Sequence, residues 1–181
     1  MKKWLLILGM LTAAHVSQAQ FTKATLQATG LTCAMCSNAI NKALQKVPFV
    51  SSVEADIKNS AFFIVFKEDT KVDIDALKNA VEDAGFSIGS LKMTGNFNDV
   101  KVAKDKHVEI RGDQFHFLNT GDKVLNGVQT LTVVDKDFVS AKEFKKISST
   151  SNMKCVQTGK AASCCIKDDI QPGTRIYHVT I

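Results

Sequence analysis

The sequence predicts an α+β protein made of two parts. Residues 20–94 are predicted to form a β-α-β-β-α-β unit, because the hydrophobic spacing alternates between the two-residue period of strands and the 3.6-residue period of helices. Residues 95–181 are predicted to be mainly β, as a small barrel or sandwich, because short alternating runs are separated by Gly-Asp, Asn-Gly and Pro-Gly turns. The polar stretch Thr94–Asp99 places the boundary between the two parts.

Composition and charge narrow the functional classes. The 181 residues are 45% hydrophobic and 23% charged, which is typical of a globular protein. The net charge of +5 is mild and no cluster of Lys or Arg is visible, so nucleic acid is not an expected partner. Five cysteines are too few for a disulfide-dense scaffold of this length, and an odd number leaves at least one thiol without an internal disulfide partner.

The first nineteen residues are predicted to be a secretory signal peptide. Lys2 and Lys3 precede an apolar run from Trp4 to Ala14, and Ser17-Gln18-Ala19 offers small residues at a cleavage site after Ala19. The apolar run is shorter than the ~20 residues that a retained membrane anchor needs. We therefore expect a periplasmic or secreted protein that is not inserted in a membrane once the signal is removed.

The elements of residues 20–94 follow from apolar spacing and from helix-ending residues. Strands are predicted at Ala24, Leu26 and Ala28, at Val53, Ala55 and Ile57, over Phe62–Phe66, and at Phe86, Ile88, Leu91 and Met93. Helices are predicted at Ala39, Ile40, Ala43, Leu44 and Val47, and at Ile74, Leu77, Ala80, Val81 and Ala84. Pro48 ends the first helix, Asp73 caps the second and Gly85 ends it. This order is the split-βαβ, or ferredoxin-like, arrangement.

The pattern of residues 95–181 is less informative. Residues 108–110, 115–117, 131–133 and 177–181 alternate as in strands. Ser140 and Glu143 match a capping box for a helix that carries Phe144 and Ile147. We recognise no family in this region.

The motif with the most chemistry is Gly30-Leu-Thr-Cys-Ala-Met-Cys36, between the first strand and the first helix. Cys33 and Cys36, three positions apart at a helix start, can turn both sulfurs toward one point. The helix N-terminus favours thiolates, and two thiolates suit a soft cation of low coordination number. Cu(I) fits best and Hg(II) fits on the same grounds, whereas Zn(II) is a weaker alternative because structural zinc prefers four protein ligands.

This motif, the following Ser37-Asn-Ala-Ile40 and Glu82-Asp-Ala-Gly-Phe86 resemble the heavy-metal-associated domain over residues 21–93. That domain occurs in copper chaperones, copper-transporting ATPases and periplasmic mercury-binding proteins. The resemblance implies that Cys33 and Cys36 are the metal ligands and that a metal-transporting ATPase or another metal-accepting protein is the partner. It also implies that Leu31, where the family usually has Met, packs beneath the loop, and that Phe86 is a hydrophobic lid.

Other interpretations of the cysteine pair stay open. In an exported protein Cys33 and Cys36 could form a disulfide. A thioredoxin-type redox pair is disfavoured, because the intervening Ala34-Met35 is not Gly-Pro. A buried structural pair is disfavoured by the loop position, and Met35 is expected to face solvent rather than bind metal.

Three further cysteines lie in the second part of the chain. Cys155 is expected to form a disulfide with Cys164 or Cys165, because loops of exported proteins are commonly cross-linked. The alternative is a second soft-metal site with one or more of His107, His116 and His178. Strand alternation points His116 and His178 to the face opposite their large apolar neighbours. Both could therefore be surface residues with no special role.

The sequence therefore predicts an exported protein that binds Cu(I) and transfers it by ligand exchange at Cys33 and Cys36. No Ser/His/Asp set, phosphate loop or paired acid site is visible, so we expect neither an enzyme nor an organic cofactor. A thiol-disulfide redox protein and a mercury-binding protein are the alternatives. A third is an interaction module whose second part docks a transporter.

Overall fold

The computed structural model describes residues 19–31 and 33–181. The predicted signal peptide, residues 1–19, lies outside the described residues except for Ala19. In chain order the elements are β1 Gln20–Thr29, α1 Ala34–Gln45, β2 Val50–Asp56, β3 Ala61–Phe66, α2 Ile74–Asp83, β4 Ser87–Val102, β5 His107–Ile110, β6 Asp113–Phe117, β7 Lys123–Val133, α3 Ala141–Ser148, α4 Lys154–Thr158, a 3-10 helix Ser163–Asp168, and β8 Ile176–Thr180. None of the helices in these described residues is long and apolar enough to span a bilayer.

The first part has the predicted β-α-β-β-α-β order. Its four strands lie side by side as β2-β3-β1-β4, all antiparallel to their neighbours. Asp73 caps α2 as predicted, since its Oδ1 accepts a hydrogen bond from the amide of Ala76 at 3.1 Å. Leu26, Ile40, Leu44 and Leu77 are fully buried between this sheet and the two helices. The predicted ferredoxin-like arrangement is therefore confirmed in these residues.

The strands of residues 95–181 do not form the separate barrel or sandwich that the sequence suggested. They extend the first sheet, which has eight strands in the order β2-β3-β1-β4-β7-β8-β6-β5. The extension arises because β4 runs for 16 residues and pairs with β7 from Leu91 to Val102. The division at residues 94 and 95 stays a prediction, and β4 runs across it.

Gly95 explains why this stretch resembled a linker. The residue lies in the middle of the sheet, opposite Phe21 of β1 and Gln129 of β7. A Cβ atom there would lie 2.5 Å from the carbonyl oxygen of Gln20. The glycine thus permits close approach of two strands, and a glycine in a strand often has this meaning.

Both faces of the sheet are covered at the strands β6 and β8. Phe115 and Phe117 belong to the core shared with α1 and α2. Leu118 and Ile176 belong to a second apolar cluster, built with residues of α3, α4 and the 3-10 helix. Ser140 caps α3 as predicted, with its Oγ accepting from the Glu143 amide at 3.3 Å. Because successive side chains of a strand point to opposite faces, residues beside Phe115 and Phe117 face this second cluster.

Candidate metal centre

The connection between β1 and α1 turns sharply at Gly30, its first residue. Gly30 has φ +82°, a left-handed conformation that glycine adopts at no steric cost. Cys33 is extended, with φ −157°, and is the N-cap of α1. Its carbonyl oxygen accepts hydrogen bonds from the amides of Cys36 at 3.1 Å and Ser37 at 3.4 Å. The helix start therefore holds the two cysteines on one turn.

The two sulfur atoms converge. Cys33 Sγ and Cys36 Sγ lie 3.0 Å apart, well beyond the ~2.05 Å of a disulfide bond. Cys33 is exposed and Cys36 is half-buried. The first turn of α1 holds no acidic residue that would offset the partial positive charge of the helix N-terminus beside the two sulfurs. This arrangement can chelate a soft cation at a surface from which it can be exchanged.

The neighbouring side chains agree with the expectations for this loop. Met35 is 82% exposed, so it faces solvent. Leu31 is half-buried and packs against the main core. Phe86 is also half-buried, and its ring borders Gly30, since a Cβ placed on that glycine would lie 4.0 Å from Cδ1 of the phenylalanine. Leu31 and Phe86 thus give this stretch apolar contacts, while Cys33 and Met35 are exposed.

Comparison with known proteins identifies this part of the chain. A family model described as "Heavy-metal-associated domain" matches residues 25–87. The mercuric transport protein periplasmic component of Shigella flexneri is 35% identical over 86 residues, which are 48% of this chain and 93% of that protein. The chain belongs to the heavy-metal-associated domain family. The family resemblance drawn from the sequence is thereby confirmed.

Two further relatives show the range of proteins that share the heavy-metal-associated domain. The copper chaperone CopZ of Staphylococcus aureus (strain bovine RF122 / ET3-1) is 30% identical over 63 residues, 35% of this chain and 91% of that protein. The probable copper-transporting ATPase HMA5 of Arabidopsis thaliana is 27% identical over 93 residues, 51% of this chain. The chain spans only 9% of that ATPase's length. The likeness to the ATPase is therefore a likeness to a small part of it.

The second group of predicted site residues also converges, although no disulfide joins its cysteines. The ligand atoms of Cys155, Cys164 and Cys165 lie within 4.8 Å of one another, and those of His107, His116 and Cys155 do so as well. His178 stands beside His116, with ring centroids 5.2 Å apart, but belongs to neither group of three.

The surface positions expected for His116 and His178 are wrong. The two residues are 0% and 1% exposed, because the second apolar cluster covers the face of β6 and β8 that they occupy. Burial lowers the pKa of His116 to about 4, with smaller contributions from the neighbouring His178 and His107. Burial likewise lowers the pKa of His107 and raises that of the Cys155 thiol. Near neutral pH, His107 and His116 are therefore uncharged imidazoles, the form that binds metals.

The sequence did not indicate the carboxylates that are hydrogen-bonded to His107 and His178. Asp168 Oδ2 lies 2.7 Å from His107 Nδ1, and Asp135 Oδ1 lies 2.6 Å from His178 Nδ1. Arg175 links Asp135 to Asp75 of α2, at 3.0 Å from one and 2.8 Å from the other. These partners are 40 to 100 positions apart in the chain, so no local spacing could have indicated them.

Proposed function

We propose that this protein binds Cu(I) at Cys33 and Cys36 and passes it to another metal-binding protein. The observation that carries the proposal is the pair of sulfur atoms 3.0 Å apart at the exposed start of α1, in a heavy-metal-associated domain. Thiolates are soft ligands and select soft cations such as Cu(I). A copper chaperone and a probable copper-transporting ATPase are among the relatives of this domain.

The low number of donors favours Cu(I) over Zn(II). Within residues 19–31 and 33–181, no group of three or more clustered His, Cys, Asp or Glu donors includes Cys33 or Cys36. Two sulfur ligands suit Cu(I), whereas structural Zn(II) is almost always held by four ligands. Hg(II) shares the preference for sulfur, and a mercuric transport protein is also a relative, so mercury binding is the alternative function.

Exposure of the pair favours transfer rather than storage. A thiolate of an incoming protein can attack bound Cu(I) from the open side of the loop, forming a shared intermediate before Cys33 or Cys36 leaves. A metal-transporting ATPase is the partner that we propose for this exchange. Nothing in the exchange requires a bond of a substrate to be made or broken, so the protein acts as a carrier and not as an enzyme.

We further propose that the exchange takes place outside the cytoplasm. The charged start at Lys2 and Lys3 and the apolar run after it are typical of a secretory signal. The mercuric relative is named a periplasmic component. Fractionation of the native host, with an antibody against the mature chain, would test this assignment.

The test of the metal site is a Cu(I) titration against a chromophoric chelator under anaerobic, reducing conditions. The double variant Cys33→Ser/Cys36→Ser should lose one tightly bound copper equivalent, because both proposed ligands are gone. Met35→Ala is the matched control: it changes the residue between the cysteines, whose side chain faces solvent, and should leave affinity unchanged. Undiminished binding in the double variant would overturn the assignment.

A further inference from the structure

Two histidines on neighbouring strands present ring nitrogens to one buried sulfur. His107 of β5 and His116 of β6 are direct cross-strand partners, with ring centroids 4.8 Å apart. Cys155 Sγ lies 3.9 Å from His107 Nε2 and 3.8 Å from His116 Nδ1. These three donors surround a point on the face of the sheet opposite α1 and α2.

Two more thiols lie on the other side of Cys155. Cys164 and Cys165 have sulfur atoms 3.5 Å apart, and both are within 4.8 Å of Cys155 Sγ. Cys155 and Cys165 are fully buried, whereas Cys164 is half-buried. Cys155 is thus shared by a group of two imidazoles and a group of two thiols.

The backbone fixes the cysteines against the sheet. The segment after α4 is bonded to β8, since the Ile176 amide donates to the Gly159 carbonyl at 2.9 Å. The Ala161 amide donates to the Thr174 carbonyl at 2.8 Å. These bonds hold the short helix that carries Cys155 and the 3-10 helix that carries the vicinal pair on one side of the sheet. The convergence of the donors is therefore built into the fold.

A carboxylate orients the imidazole of His107 with a lone pair toward Cys155. Asp168 accepts from Nδ1 of His107 at 2.7 Å, which leaves Nε2 unprotonated on the side of the sulfur. His116 turns its Nδ1 toward the same sulfur at 3.8 Å, and its Nε2 lies 3.5 Å from Asp105 Oδ1 without a hydrogen bond. Metal-binding histidines are commonly held as His107 is, by a carboxylate on the nitrogen remote from the metal.

The separations match those around a bound metal ion. With metal–sulfur and metal–nitrogen bonds of ~2.3 and ~2.0 Å, two donors at 120° stand about 3.7 Å apart. The distances of 3.8 and 3.9 Å from Cys155 to the two histidines are close to this value. A disulfide between Cys155 and a neighbouring cysteine would account for the thiols but not for two imidazoles that turn ring nitrogens toward the Cys155 sulfur.

We propose that His107, His116 and Cys155 form a second, buried metal site that takes Cu(I), with Cys164 and Cys165 as thiol donors beside it. Two imidazoles and one thiolate in a trigonal set are a donor combination that proteins use for copper. The described residues offer clusters of three mutually close donors and none of four, which disfavours tetrahedral Zn(II). On binding, the ion displaces the Cys155 thiol proton to solvent and gains a bond to the thiolate, and no electron is transferred.

This site is independent of the pair at Cys33 and Cys36, so a set of variants separates the two. Reduced full-length mature protein is titrated anaerobically with Cu(I), and bound copper per chain is measured. The wild type should bind two equivalents, Cys33→Ser/Cys36→Ser one, Cys155→Ser one, and the triple variant none. If Cys33→Ser/Cys36→Ser and Cys155→Ser each still bind two equivalents, and only the triple variant loses copper, the assignment of both sites is contradicted.

X-ray absorption at the copper edge identifies the donors without any substitution in the buried cluster. Copper in the Cys33→Ser/Cys36→Ser protein should show a mixed nitrogen and sulfur shell with imidazole scattering. Circular dichroism of the metal-free variants checks that Cys155→Ser has folded. If it has not, the X-ray absorption spectrum of the Cys33→Ser/Cys36→Ser protein decides whether the second site binds copper. A shell of sulfur alone, or no copper in the reduced double variant, would overturn the proposal. If Zn(II), added as the only metal, binds more tightly than Cu(I), the copper assignment is overturned.

Discussion

A single methyl group added at Gly95 distinguishes a continuous sheet from a linker between two domains. In Gly95→Ala, the new Cβ would lie 2.5 Å from the carbonyl oxygen of Gln20 and 3.1 Å from Cα of Phe21. Both contacts are with backbone atoms of β1, so no side-chain rotation can relieve them. The strands must separate locally, or the first residues of β1 must detach.

The cost of each response follows from what Phe21 contacts. Its ring packs against Phe97 at 6.1 Å and Phe115 at 5.7 Å between centroids, and only 8% of the residue is exposed. Detaching β1 up to this residue forfeits burial worth ~3 kcal/mol, while a small shift of the strands costs ~1–3 kcal/mol, as for other overpacked sites. We expect Gly95→Ala to lower the free energy of unfolding by about 1–3 kcal/mol.

Urea unfolding followed by circular dichroism measures this change, and Gly121→Ala is the control. Gly121 has no atom within 4 Å of an added Cβ and no left-handed backbone angle, so its substitution should be close to neutral. If Gly95→Ala is as mild as Gly121→Ala, residues 94–99 do not form the middle of a sheet. The second part of the chain would then be a separate domain after all.

Two further predictions concern the ion pair and the redox chemistry of the protein. Burial raises the pKa of Asp75, but the hydrogen bonds and charge of Arg175 outweigh it, so the pKa is lowered from 3.8. The stability that this depressed pKa provides is full above pH 3.8 and is lost as the pH falls through the lower folded value, so Asp75→Asn should cost about 1 kcal/mol at pH 7. In urea melts the difference in free energy of unfolding between wild type and variant should narrow as the pH falls below 3.8, and a difference that stays constant would refute this reasoning. In an insulin-reduction assay, we expect turnover far below that of a thioredoxin control, because the dipeptide between Cys33 and Cys36 is Ala-Met. Comparable turnover would favour the oxidoreductase alternative.

The elements of the first part could be predicted because their signals are local. Asp73, Pro48 and Gly85 mark helix ends within a few residues of the periodic positions they delimit, and the strands alternate cleanly. The architecture of the second part could not be predicted in the same way. Whether β7 pairs with β4 or closes a barrel depends on contacts between residues that are 21 (Val102 and Lys123) to 42 (Leu91 and Val133) positions apart. The glycine and asparagines of residues 94–99 are as typical of a loop as of a closely packed strand.

The two groups of cysteines also differ in whether local spacing or distant contacts bring them together. Cys33 and Cys36 are brought together by one helical turn, so their spacing alone predicts a chelating pair. His107, His116 and Cys155 meet only because β5, β6 and a short helix, separated by up to 48 positions in the chain, pack on one face. The alternation of His116 with Phe115 and Phe117 indicated its face correctly. It could not indicate that helices cover that face and bury the imidazole.

The order of the strands sets the relation between the two proposed copper sites. β1, which leads into the Cys33 loop, and β6, which carries His116, are separated by β4, β7 and β8. Four strand spacings of ~4.8 Å place those strands about 19 Å apart, with the histidines on the face away from α1. Direct ligand exchange between the sites within one chain would need donors closer than a few ångströms, so copper cannot pass from one to the other through a shared intermediate. The exposed pair is suited to exchange with a partner protein, and the buried cluster is suited to retaining its ion.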